Sequence, residues 1–247
     1  MLKHPVKVFI GVFMKTKHIV YSAVLAALVF AGCQTASQKG AAPYKMTTVS
    51  EKTDVFEAKI AYPQFAGFDD LNSLIKSRTL GAYNDFKSSA QKTRRELESA
   101  KNASAEKIPP FEYAVTCDSI IVSDKYISML FTAYRYEGGA HGETLLDSIT
   151  YDKALKKEVS ITEASGLSVK DIATQCKDYF MKHLNYGGNG AEAKKARTDW
   201  IAEGTIPEAG NYQTFTYDGK KLTVYFEPYT VAPYSEGVQK VTISAVR

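Results

Sequence analysis

The stretch from Tyr126 to Gly142, YISMLFTAYRYEGGAHG, constrains the fold more than any other part of the chain. Its first dozen residues read as a strand, with Ile127, Met129, Phe131 and Ala133 on one side and Leu130, Tyr134 and Tyr136 on the other. Both sides are largely apolar, so the strand is expected at the centre of a sheet covered on both faces. It runs into Gly138-Gly139-Ala140-His141-Gly142, where three glycines in five residues mark backbone that turns tightly or takes positive φ. A rigid strand ending in a glycine-bracketed histidine is how a scaffold presents a side chain. It is also how a plain turn is built.

The segments on either side complete an antiparallel meander. Phe111 to Val122 reads as the preceding strand, with Ser123-Asp124 as the turn, and Thr144 to Tyr151 as the following one. Upstream, Lys52 to Tyr62 alternates loosely and stops at Pro63, which cannot continue a central strand. Phe68-Asp69-Asp70 then opens a long helix whose stripe runs through Leu71, Leu74, Ile75, Ala82 and Phe86. Its polar end, Lys92 to Glu98, reads as a solvated face. Downstream, Ser168 caps a helix carrying Ile172, Ala173, Cys176, Phe180 and His183 at helical spacing. Ala191 to Ile201 forms a shorter one. Tyr212 to Tyr217, Asp218-Gly219 and Lys221 to Phe226 read as a hairpin on a type I′ turn. Val238 to Val246 closes the chain after an irregular crossing from Glu227 to Gly237 that is rich in tyrosine and proline. The sum is an α+β fold with a mostly antiparallel sheet, a long N-terminal helix, a second helical pair and two subdomains of similar size.

The 247-residue chain carries a formal charge of +4, but this misleads. Four of its 31 basic residues, Lys3, Lys7, Lys15 and Lys17, fall in the first 32 positions, which hold no acid, leaving 27 against 27 in the remainder. A formally neutral body lacks the basic footprint of a nucleic-acid binder. The leader itself reads as a targeting segment, with Lys15 and Lys17 before an apolar run from Ile19 to Ala31 that is too short to span a bilayer comfortably. Met14 begins a more conventional leader than Met1. The run ends Phe30-Ala31-Gly32-Cys33, similar to the lipobox of bacterial lipoproteins, although Phe30 stands where Leu is usual. That resemblance implies an acylated Cys33, residues 1–33 as a lipoprotein signal peptide and a membrane as a partner. Residues 34–50, rich in Ala, Ser, Gly, Lys and Thr, read as a flexible tether. Cys117 and Cys176 are expected as free thiols rather than a disulfide framework.

Several strings together resemble a known pair of domains. Tyr62-Pro63-Gln64 ahead of Leu71-Asn72, and the strand ending in Gly138-Gly139-Ala140-His141-Gly142, are similar to an accessory domain found in the peptidoglycan deacetylase PdaC and the lysozyme-responsive anti-sigma factor RsiV. Phe215-Thr216, the strand Leu222 to Phe226, and the crossing Pro228 to Gly237 resemble the domain of unknown function that follows it. The resemblance implies an accessory domain at 51–152 and a C-terminal domain at 153–247. No deacetylase catalytic domain is seen, and no sigma-binding segment is expected before the apolar run, so the implied property is the shared extracytoplasmic one: binding of lysozyme or a peptidoglycan-related ligand.

Gly138, Gly139, His141, Tyr136, Tyr229 and Tyr234 are the candidate ligand-binding residues, because tyrosines at strand ends offer apolar area with a hydroxyl. His141 is open to three readings: a structural turn, a binding loop, or a cell-wall hydrolase's base working with Glu137, Glu143 or Asp147. Phe68-Asp69-Asp70 superficially resembles the metal-binding aspartates of polysaccharide deacetylases. It lacks the following Gly and any spaced histidine pair, so it reads as a helix cap. No metal and no cofactor is expected.

Overall fold

The structure, a computed structural model, describes residues 44–100 and 108–244. The leader, Cys33 and residues 34–43 lie outside them. Residues 44–50, expected as the end of the tether, instead belong to strand β1 (Tyr44–Lys52). The segment is polar enough to pass for a linker. Its half-buried Tyr44 and Val49 nevertheless pack on the core, and the Tyr44 ring lies 5.5 Å from Phe65. An edge strand needs no more apolar area than that.

β1 pairs antiparallel with β2 (Phe56–Phe65). β2 in turn lies parallel to β3 (Phe111–Val122) over Phe56 to Ile60 only. Pro63 therefore does fall within a strand, past the end of that ladder, where its missing N–H is tolerated. β4 (Tyr126–Tyr136), β5 (Glu143–Asp152) and the short β6 (Lys157–Glu158) complete a six-stranded sheet in sequence order. The meander is as expected. β3 carries a bulge between Cys117 and Ser119. It shifts parity, so Tyr113, Val115 and Cys117 are followed on the same core face by Ile120 and Val122.

Helix α1 (Asp69–Ala100) crosses from β2 to β3 and covers that face. Leu71, Ile75, Tyr83, Phe86 and Ala90 are buried at helical spacing, whereas Ala82 is exposed. Arg94, in the segment expected to be solvated, is 6% exposed. Its guanidinium donates to the carbonyls of Ile108, Pro109 and Val55 at 2.7, 2.7 and 3.2 Å. The helix end is thus locked to the start of β3.

The second unit has a capped turn, α2 (Ile161–Ser165), then α3 (Val169–His183) and α4 (Ala191–Gly204). A three-stranded sheet follows, β7 (Phe215–Tyr217), β8 (Lys221–Phe226) and β9 (Gln239–Ser244). Ser168 caps α3 as read from sequence. In the β7–β8 connection Gly219 has φ +100° but Lys220 is not left-handed, so the turn is not of the I′ kind; Asp218 Oδ1 holds it by accepting from the N–H groups of Lys220 and Lys221 at 2.7 Å each. Cys176 is fully buried and Cys117 half-buried; both are free, and burial pushes each thiol up to about 12. His183, expected on the apolar face, is exposed; its ring stacks 4.2 Å from Tyr179, whose carbonyl lies 2.7 Å from Nδ1.

The two units meet through serines. On the face of β4 and β5 turned away from α1, Ser128 Oγ accepts from the backbone N–H of Tyr217 at 3.0 Å, and Ser148 Oγ from that of Phe215 at 2.9 Å. Ser128 also bonds Thr150 Oγ1 at 2.7 Å, and the Tyr126 and Tyr217 rings approach to 5.4 Å. The free edge of β7 is thereby closed by the face of the larger sheet. β4 is covered on both sides, as its sequence requires.

Candidate functional site

Beyond Ser128 and Leu130, β4 leaves the junction, and its tip carries the glycine-rich loop to β5. Gly138 and Gly139 take φ +91° and +110°, conformations that L side chains rarely adopt. The base of the loop is held down. Glu137 accepts from Arg135 Nε at 2.8 Å and from Ser89 of α1 at 2.9 Å, and the Tyr136 hydroxyl donates to the Gly139 carbonyl at 3.1 Å. Gly142 is buried, and a Cβ there would overlap the ring of Tyr134.

The carbonyl of Gly142 is the hub of the site. It accepts from His141 Nδ1 at 2.8 Å and from the Tyr234 hydroxyl of the second unit at 3.0 Å. Two rings held by one oxygen are brought face to face: His141 and Tyr234 stack at 4.2 Å with 24° between their planes. Because a carbonyl only accepts, Nδ1 carries the proton of the neutral imidazole. Nε2 is then the acceptor, and the Tyr229 hydroxyl lies 3.5 Å from it.

Tyr229 is presented by a braced loop. Its φ is +71°, unusual for a bulky side chain, and its side chain is among the most exposed aromatics, at 53%. Its backbone N–H bonds Ala232 and its carbonyl accepts from Trp200 Nε1 at 2.9 Å. Tyr186 holds the Val231 carbonyl at 2.9 Å, and Gly204, at the end of α4, lets the Thr230 carbonyl approach where any Cβ would collide with it. Glu227, at the root of the loop, accepts from the Leu146 N–H of β5 at 2.7 Å.

Of the sequence-predicted residues, His141, Tyr229 and Tyr234 converge on one surface, with Tyr134 beside them over Gly142. Gly138, Gly139 and Tyr136 shape the loop that carries His141. Tyr134 is one of the strand-end tyrosines that the sequence offers for a binding face, whereas Trp200 and Gly204 carry no such signal, since only the fold brings α4 to this crossing. None of the three acids close in sequence is hydrogen-bonded to His141. Glu137 is engaged as described, Asp147 pairs with Arg78 at 3.1 Å, and both ring nitrogens of His141 have other neighbours. Among the described residues no three His, Cys, Asp or Glu side chains are grouped to hold a metal, and no helix is long and apolar enough to cross a membrane. The arrangement offers a cluster of stacked and tilted aromatic rings, with the Tyr229 ring the most exposed, edged with hydrogen-bonding groups.

Residues 49–144 match the family described as Deacetylase PdaC, and residues 153–245 one described as Protein of unknown function (DUF3298). Over 120 residues the chain is 28% identical to the peptidoglycan-N-acetylmuramic acid deacetylase PdaC of Bacillus subtilis (strain 168). That match covers 47% of this chain and 24% of the relative, so the chain spans about a quarter of the relative's length. Two crystal structures of DUF3298-family proteins share the fold. One, from Bacteroides fragilis, aligns with a TM-score of 0.58 and 16% identity over 84% of this chain and 92% of its own. The other, from Pseudomonas aeruginosa, has a TM-score of 0.53 and 16% identity over 82% and 90%. At that identity the likeness speaks for the fold alone.

Proposed function

We propose that this chain, which carries a PdaC-type domain and a DUF3298 domain in tandem, is a membrane-anchored cell-envelope lipoprotein acting as a non-enzymatic binding module. Its ligand site is the junction surface of His141, Tyr229 and Tyr234. One observation carries the reading: the Gly142 carbonyl holds His141 of the first domain against Tyr234 of the second, so the two domains jointly build one exposed, braced surface. The match to one domain of a peptidoglycan deacetylase supports an extracytoplasmic setting and a peptidoglycan-related ligand. The resemblance to the anti-sigma factor adds a lysozyme-like protein as the other ligand to test. Acylation at Cys33 supplies the membrane partner.

Calorimetry of the purified chain against C-type lysozyme, and separately against soluble peptidoglycan fragments, tests the reading. Saturable binding of either, weakened by Tyr229→Ala, is the expected result; silence with both sinks it. The rival is a cell-wall hydrolase using His141 as a base. Without a carboxylate to orient it, such a base is poorly equipped. The expected outcome is no turnover of peptidoglycan in either the native chain or His141→Ala. Turnover that disappears in His141→Ala, with the fold intact, replaces the binding reading by the enzymatic one.

A further inference from the structure

A strand at the end of a sheet carries one row of backbone groups that no neighbour satisfies, and proteins guard such rows. β6 is cut to two residues, and the edge of β7 is closed by the face of the larger sheet. β1 has neither protection. It runs nine residues and, among the described residues, pairs with β2 alone. Its register holds throughout, with no bulge, proline or glycine to turn a second strand away. β9, the next longest edge strand, has six residues.

The hydrogen bonds of β2 show which β1 residues face outward. Phe65, opposite Tyr44, has its N–H and its carbonyl taken by the Asn72 side chain at 2.7 and 2.8 Å, so these two residues exchange no bonds. Beyond the other end of the ladder the Thr53 N–H donates to the Phe56 carbonyl at 2.8 Å. In an antiparallel pair bonded and unbonded positions alternate. Lys45, Thr47, Val49 and Glu51 therefore bond β2, while Tyr44, Met46, Thr48, Ser50 and Lys52 turn their backbone groups away from it. Side chains alternate as well. Glu51 is held by Tyr83 and Lys87 of α1 at 2.5 and 2.8 Å, which sets Lys45, Thr47 and Val49 on the α1 face with it.

A strand joining this edge antiparallel sets its own outward residues against these. When that strand is β1 of a second copy, the register centred on Thr48 pairs all nine residues. Thr48 then faces Thr48, Met46 faces Ser50, and Tyr44 faces Lys52. On the α1 face each Lys45 faces Glu51 of the other copy. Slipping by two residues either way sets Lys45 against Val49 or Thr53 and loses both charge pairs. Opposite charges directly across two strands stabilise the pairing, and like charges oppose it. Tyr83 and Lys87 both engage Glu51 Oε2, which leaves Oε1 to accept from the second copy's lysine. A lysine on an edge repels strands that do not answer its charge. This edge carries its own answer.

We propose that β1 is a homodimerisation edge, two copies of this chain joining by antiparallel β1–β1 pairing about a two-fold axis at Thr48, with Lys45 against Glu51 on both sides of the axis. The edge stands three strands from β4, so the contact does not use the His141 loop and the proposal is independent of the ligand site.

Sedimentation equilibrium of the purified chain over a wide concentration range, with amide exchange followed by NMR, tests it. The chain is expected to dimerise. Exchange at Met46, Thr48 and Ser50 should slow as the dimer forms, while Thr47 and Val49, bonded to β2, exchange slowly throughout. Lys45→Glu sets acid against acid at both ends and is expected to weaken the dimer by roughly tenfold. Thr48→Pro removes an outward N–H without touching the β2 ladder and is expected to abolish it. Near-UV circular dichroism establishes that each variant stays folded; if Thr48→Pro does not, Lys45→Glu decides. A monomer at every concentration overturns the proposal, as does a dimer that both variants leave intact. A dimer lost in Thr48→Pro but unchanged in Lys45→Glu overturns the register about Thr48.

Discussion

Two glycines at the site act on opposite sides of a steric distinction. A Cβ on Gly142 meets first the far end of the Tyr134 ring, a side chain that is 37% exposed and can yield toward solvent. Gly142→Ala is therefore expected to cost about 1 kcal/mol or less while displacing Tyr134, seen as a changed tyrosine signal in near-UV circular dichroism. A Cβ on Gly204 meets the Thr230 backbone, which cannot rotate away. Gly204→Ala is expected to cost about 1–3 kcal/mol in urea denaturation and to shift the Tyr229 resonances. A stability loss in Gly142→Ala as large as that in Gly204→Ala would contradict this account. At this scale the sequence is eloquent about some positions and silent about others. Three glycines around His141 announce a special backbone. Gly204 sits at the end of an ordinary helix pattern, and its reason lies in a loop 26 residues further on.

Elements were legible where their periodicity was complete. α3, β4 and β5 carry full apolar patterns, and they stand where those patterns put them. β1 was hidden because an edge strand buries one side only. The bulge in β3 was hidden because a parity change looks like weak alternation. α2 does have a signature, Ser160-Ile-Thr-Glu163, and the structure shows the complete capping box, with Ser160 accepting from the Glu163 N–H and Glu163 returning to the Ser160 N–H at 2.8 Å. That backbone bond, then Lys157 and the Ser160 hydroxyl, hold the Glu163 carboxyl at about 2, below its ordinary 4.5. A carboxyl depressed in the folded state contributes stability above its unfolded value, and this contribution fades as pH falls from about 4.5 to about 2. Glu163→Gln is expected to be destabilising at pH 7 and to match the native chain near pH 2; a difference independent of pH would refute the cap. Arg94 makes the same point for α1: position in a polar run says nothing of what three converging backbone carbonyls require. Arg94→Ala is expected to cost about 3 kcal/mol in urea denaturation, with Arg94→Lys recovering little, because a point charge cannot serve three separated acceptors.

For the whole molecule, the joint between the units decides how it behaves. Ser128 and Ser148 are the hydrogen-bond partners of two buried β7 N–H groups, so Ser128→Ala and Ser148→Ala should each cost about 1–3 kcal/mol. The double variant is expected to convert one urea transition, followed by circular dichroism, into two. A single sharp transition would mean that the rings and apolar contacts couple the units without the serines. This joint was the least legible part of the chain. Isolated serines in apolar strands read as neutral, and nothing local in Ser128 or Ser148 points to an edge some 67 to 89 residues away. The same holds for the hydroxyl of Tyr234, which finds the Gly142 carbonyl across 92 positions. That separation also sets a timetable. During synthesis the His141 loop exists well before Tyr229 and Tyr234 have been made. The junction therefore matures only after most of the second unit has been made, and a nascent chain that ends before Tyr234 does not display it.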